Sequence, residues 1–178
     1  KLTGPQTIDS FNLYFHDNGI QAKGEKVTID GKDYYYDKDN GRKVTKAGFV
    51  KDNRGLTYYL DEKGEKVLGL HEINGDLYYF RQGGAYKYTQ LGDMWQDSIN
   101  YINGKIYYFG HDGKAIKNRF YQWGNYWYYF YADGSAATGA VQINGQQLYF
   151  DKNHGRQVKG AFAPDGHYYD ENSGELVT

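Results

Sequence analysis

The sequence predicts an all-β chain, a β-solenoid of about eight stacked β-hairpin repeats of roughly 20 residues each. Three observations carry that expectation. An aromatic triplet with a central Tyr recurs along the chain, Gly-containing turn dipeptides bracket each triplet, and no stretch shows helical periodicity.

The triplets come in order. They are Leu13-Tyr14-Phe15, Tyr34-Tyr35-Tyr36, Tyr58-Tyr59-Leu60, Tyr78-Tyr79-Phe80, Tyr107-Tyr108-Phe109, Tyr128-Tyr129-Phe130 and Leu148-Tyr149-Phe150, with His167-Tyr168-Tyr169 as a weaker eighth. The middle tyrosines step by 21, 24, 20, 29, 21, 20 and 19 residues. In a strand, the first and third positions share a face and the middle residue takes the other. The first and third positions are mostly Leu, Phe or Tyr, as for a buried side, and the invariant middle Tyr reads as a structural stack. Ahead of the triplets lie Asp30-Gly31, Asn74-Gly75, Asn103-Gly104, Asn144-Gly145 and Asp165-Gly166, dipeptides that suit type I′ hairpin turns. After them come Asn18-Gly19, Asn40-Gly41, Lys63-Gly64, Gly83-Gly84, Asp112-Gly113, Asp133-Gly134, His154-Gly155 and Ser173-Gly174. A lone hairpin is marginal in water, so stacking must let each cover its neighbour's apolar face. The whole chain, 1–178, reads as one repeat domain cut from a larger protein. Its main irregularity is an insertion at about 86–101, an extra strand pair or loop with Trp95 tucked against the stack.

Composition narrows the function classes. Aromatics make up 19% of the 178 residues, 21 of them Tyr, so Tyr rings must supply much of the buried area. The formal net charge is −1 with charges interleaved, which excludes a basic nucleic-acid surface. No apolar run reaches membrane-spanning length, so no membrane insertion is expected. The absence of Cys excludes disulfides and thiolate metal sites. The five His have no close pair, and Asp37–Gly41 misses the spacing of a calcium loop, so neither metal nor cofactor is expected. Nearly all carboxylates sit beside Gly in turn contexts rather than in a catalytic pair, which points to a chain that is not an enzyme.

Two segments match beyond the triplets. Thr3 precedes Leu13 by ten residues and Thr138 precedes Leu148 by ten. The copies then close with Gln-x-Lys-Gly, at Gln21–Gly24 and Gln157–Gly160. The stretch Trp127–Gly160, W-Y-Y-F-x3-G-x3-T-G-x3-I-N-G-x2-L-Y-F-x4-G-x-Q-V-K-G, resembles the repeats of the glucan-binding domains of bacterial glucansucrases and glucan-binding proteins. The resemblance implies a non-catalytic module that binds α-glucan such as dextran or isomaltooligosaccharides. It implies a monomer, secreted or associated with the cell surface, whose parent is a sucrose-dependent glucosyltransferase. It places sugar between hairpins, with Tyr128 as the ring that covers the sugar's C–H face and Leu148 as a second wall. Thr138, Gln157 and Lys159 would supply hydrogen bonds. Thr3, Leu13, Gln21 and Lys23 form a second candidate site whose aromatic partner would lie upstream of Lys1. Units reading Ala-Tyr-Lys at 85–87, Ala-Ile-Lys at 115–117 and Glu-Leu-Val at 175–177 depart from the pattern. Two alternatives stand beside this reading. One is a choline-type cell-wall attachment module, although three Trp are too few for a regular series of aromatic cages. The other is a structural spacer without a sugar site.

Overall fold

The computed structural model describes residues 1–83 and 91–178; the Gly83-Gly84 turn and the 85–87 segment therefore fall wholly or partly outside the described residues. Among the described residues there is no helix. Sixteen strands pair into eight two-stranded antiparallel sheets. The chain divides into two compact units, Lys1–Trp95 and Gln96–Thr178.

The first unit holds β1 (Gly4–Ile8) with β2 (Phe11–Phe15), β3 (Glu25–Ile29) with β4 (Lys32–Tyr36), β5 (Gly48–Lys51) with β6 (Thr57–Leu60), and β7 (Gly69–Ile73) with β8 (Asp76–Phe80). The second holds β9 (Ser98–Ile102) with β10 (Lys105–Phe109), β11 (Arg119–Trp123) with β12 (Tyr126–Phe130), β13 (Gly139–Ile143) with β14 (Gln146–Phe150), and β15 (Ala161–Phe162) with β16 (Tyr168–Tyr169). Each aromatic triplet forms the end of a second strand, except that β16 begins at Tyr168 and omits His167.

Turn chemistry sets the hairpins. At Asp30-Gly31, Asn74-Gly75, Asn103-Gly104 and Asn144-Gly145 both residues have φ between +50° and +84°, the I′ geometry that Asn, Asp and Gly tolerate. Asp165-Gly166 departs from expectation, because only Gly166 is at positive φ. There a wider loop runs from Ala163 to His167, whose N–H donates to the Asp165 carboxylate at 3.0 Å. An unforeseen turn, Asp9-Ser10, reaches positive φ at both residues without glycine.

A short tail follows each hairpin and locks it in place. Eight tail N–H groups donate to the backbone carbonyls of the eight middle tyrosines, among them Ala22 to Tyr14, Val44 to Tyr35, Ala137 to Tyr129 and Val158 to Tyr149. The preceding tail residue reaches back to the previous hairpin. Ala136 N–H donates to Ile106 O, Gln157 N–H to Trp127 O and Leu176 N–H to Gln147 O, each at 2.8 Å. Within each unit a tail therefore binds two successive hairpins at once, as nearest-neighbour stacking requires.

The cores are small and serial. Third triplet positions are the most deeply buried, with Phe80, Phe109, Phe130 and Phe150 all at 0% exposure. Burying each such ring contributes about 2–3 kcal/mol. The middle Tyr of one hairpin packs on the first or third position of the next. Tyr14 lies 6.0 Å from Tyr36, Tyr59 6.4 Å from Phe80 and Tyr149 5.7 Å from Tyr169, centroid to centroid. Tyr129 joins the cluster of Leu148 and Phe150 in the same way. Both faces of a second strand are thus apolar, one for its own tail and one for its neighbour.

The expected insertion at about 86–101 falls partly outside the described residues. Ser98–Ile102 is the first strand of a regular hairpin, with no additional strand pair among the described residues. Met94 closes against Phe80 as the tail of β7 and β8, and Trp95 packs on Tyr79 with ring centroids 4.3 Å apart. Asp93, almost fully buried, accepts from Arg81 Nε at 2.7 Å.

Candidate functional site

Strand alternation decides which residues of the Trp127–Gly160 stretch can meet a ligand. Tyr128 and Phe130 point into one core cluster with Ile106, Tyr108 and Ala136. Leu148 belongs to a different cluster with Ala137, Ile143 and Phe150. Each of Tyr128 and Leu148 is 1% exposed. The five expected site residues are therefore not gathered on one surface. Thr138 is exposed, and Gln157 and Lys159 are half-buried and close together at the following turn.

The ring beside Gln157 and Lys159 is Trp127, one residue before Tyr128 and on the opposite face of β12. Trp127 is 37% exposed, its carbonyl accepts from Gln157 N–H at 2.8 Å, and the Lys159 ammonium lies 5.7 Å from its ring centroid. Period-2 alternation along Trp127-Tyr128-Tyr129-Phe130 was the available signal, since the 128/130 face also carried the core Phe.

The matched threonine, leucine, glutamine and lysine occupy the same places in both copies. Lys159 Nζ donates to Asn172 O at 3.1 Å, two residues before Gly174. Lys23 Nζ donates to Asp39 O at 3.3 Å, two residues before Gly41. Gln21 Nε2 donates to Asn40 O at 3.2 Å. A Cβ added at Gly41 or Gly174 would collide with the amide of Gln21 or Gln157. Thr3 is exposed, with its carbonyl accepting from Gln6 Nε2 at 2.8 Å, and Leu13 is half-buried. Gln-x-Lys is thus a clamp on the turn of the following hairpin. The same bridge position carries Ala115 beside Phe109 and Leu176 beside Tyr169. The residue standing for Gln in the last unit is therefore Leu176 rather than Glu175.

The clamped turns are themselves held by their first residue. The Asp37 carboxylate accepts from Asp39 and Asn40 N–H, each at 2.9 Å. That of Asp170 accepts from Asn172 at 2.8 Å and Ser173 at 2.7 Å. The N–H groups of Ser173 and Asn172 hold the Asp170 carboxyl below its ordinary pKa. At Asp151 burial works in the raising direction, but N–H bonds from His154, Arg156 and Asn153 outweigh it and the pKa is lowered.

No group of three or more His, Asp or Glu among the described residues is arranged to hold a metal ion. Among the described residues no helix is long and apolar enough to cross a membrane.

Comparison with known proteins places the chain. A family model described as a choline-binding repeat matches residues 2–49 and 137–178, together half of the chain, and one described as a cell wall binding repeat matches 47–66 and 118–136. Glucosyltransferase-S of Streptococcus mutans serotype c is 39% identical over 97% of this chain, and Glucosyltransferase-I of the same organism is 42% identical over 99%. The chain spans only 12% of the length of each of those two proteins. Among solved structures, choline binding protein F of Streptococcus pneumoniae, determined in the presence of a peptidoglycan analogue, superposes with a TM-score of 0.68 at 28% identity, covering 99% of this chain and 58% of that one.

Proposed function

The chain belongs to the choline-binding repeat family, and from that premise we propose that it is a non-catalytic α-glucan-binding module of the dextran-binding kind, an accessory region of an extracellular or cell-surface glucosyltransferase. The relatives named glucosyltransferases support the parent, since they match nearly the whole chain yet extend far beyond it.

The observation that carries the ligand class is at Trp127. Its exposed ring offers an apolar face for a sugar's C–H side, and Gln157, Lys159 and Thr138 lie along the adjoining tails with donors and acceptors for hydroxyls. Lys159 already places a cation near that ring. A quaternary ammonium would meet like charge there, whereas a neutral sugar meets a donor. One such site binds weakly, and several on one polymer raise retention through effective concentration.

Affinity electrophoresis in gels containing dextran tests this reading. The chain should be retarded, and Trp127→Ala should lose retardation while remaining folded by far-ultraviolet circular dichroism. Unretarded migration of the unaltered chain would leave a spacer. Retention on a choline matrix with release by free choline would leave the attachment module instead.

A further inference from the structure

A second aromatic recess in the Gln96–Thr178 unit has a different make-up. It encloses about 170 Å³ between β9, β11 and the turn after β14. Tyr101 and Trp123 line it and are among the exposed aromatic side chains of the unit, at 68% and 40%. Tyr128, buried in the core, also borders it, with Ile106 beside it. Asn100, Asn153, His154 and Arg156 bring polar groups to the same lining.

Arg156 is the unusual member. Its guanidinium stacks 4.1 Å from the centroid of Tyr126, and Arg156 and Tyr128 border the same recess. Its Nε is nonetheless buried without a hydrogen-bond partner. A buried donor left unsatisfied is unfavourable, and because Nε has no accessible surface it meets a ligand oxygen only if the side chain shifts.

We propose that this recess is a separate subsite for one pyranose unit of a neutral glycan, with Trp123 and Tyr101 covering C–H faces and Arg156, Asn100 and Asn153 meeting hydroxyls. The inference takes its ligand class from the glucan reading but uses none of the Trp127, Gln157 and Lys159 group. Size agrees, because the recess of about 170 Å³ opens to solvent and leaves the substituents of a ring lodged in it room to extend outward. Charge agrees too, since Arg156 repels a quaternary ammonium and donates to hydroxyl oxygens. The tail position that holds Gln21 and Gln157 elsewhere holds Ala136 here. Gly155 consequently meets Ile106 Cδ1 at 3.3 Å and Ala136 Cβ at 3.4 Å rather than a glutamine amide.

The three Trp give three indole N–H signals in a two-dimensional nitrogen–proton spectrum, assigned by Trp123→Phe and Trp127→Phe. Titration with isomaltotriose should move the Trp123 signal. Arg156→Ala should weaken that response about tenfold, the scale of one charge-assisted hydrogen bond, and leave the Trp127 response unchanged. Asn153→Ala serves as a second, milder variant, and retained signal dispersion reports folding of both. A Trp123 signal that stays still while Trp127 moves overturns the subsite and leaves the proposed function standing. Movement of Trp123 alone supports the subsite and removes the Trp127 site. A larger Trp123 response to choline than to isomaltotriose overturns the ligand class.

Discussion

The turns ending at Gly155 and Gly174 are the same device set against different neighbours. Each begins with an Asp whose carboxylate caps the turn's own N–H groups, and each closes with Gly at φ of +72° or +74°. Gly174 rests against the amide of Gln157, whereas Gly155 rests against Ile106 and Ala136. Such a turn carries its own hydrogen bonds, so the residue it docks on is free to vary. Where glutamine is present its amide meets the turn glycine, and where alanine stands Ile106 and the alanine Cβ meet it instead. Repeats can therefore differ in what packs on the turn without any change in hairpin geometry.

The comparison breaks first if the turns are not self-capped. Asp151→Ala, which removes an acceptor for three N–H groups, should lower stability by about 2–3 kcal/mol in urea unfolding. The Asp151 and Asp170 pKa values are depressed in the folded chain, so both contribute stability above the ordinary carboxylate pKa of about 4. That contribution disappears as pH falls through the lower folded values. Asp151→Asn should therefore flatten the loss of stability below about pH 4. Equal acid sensitivity of the variant and the unaltered chain would contradict the capping account.

A smaller effect sharpens the contrast in neighbours. Ala at either glycine is strained by about 1–2 kcal/mol in the left-handed region. Gly174→Ala should be worse than Gly155→Ala by thermal unfolding, because only the former drives a Cβ into Gln157. Adding Gln157→Ala to Gly174→Ala should recover the difference; no recovery in this double-mutant cycle would mean the amide is not the obstacle.

The smallest effects separate clamp from ligand contact. Gln21→Ala should lower stability by about 0.5–1 kcal/mol through its bond to Asn40 O. Lys159→Ala should change stability by less than about 0.5 kcal/mol, as an exposed contact does, yet still weaken dextran retardation. A Lys159→Ala chain that is retarded like the unaltered one would make the lysine a clamp alone.

Much of the site was hidden for a definable reason. Tyr128 and Trp127 are adjacent aromatics, and the sugar-ring expectation at Tyr128 goes against the alternation that puts first and third triplet positions on the buried side. Trp127 can be read as the outward residue only once Phe130 is fixed at a buried third position. Leu148 sits on the buried side for the same reason. The partner of the Gln-x-Lys motif was out of reach because it lies 13 to 19 residues further on, across an entire hairpin. Asp165-Gly166 shows the limit of dipeptide reasoning, since the neighbouring Ala163–His167 loop, rather than the pair itself, chose the turn.

The sequence by itself determined the all-β class, the eight repeats, four of the I′ turns and the buried third position of seven triplets. These depend on local φ preferences and on period-2 alternation, which a few consecutive residues settle. Tertiary structure alone decided that the middle Tyr packs on the next hairpin, that Gln and Lys clamp the following turn, and that Tyr101, Trp123 and Arg156 border one recess. Those outcomes depend on which side chains stacking brings together from segments 13 or more residues apart, a distance over which a one-residue change in tail or turn alters the partner.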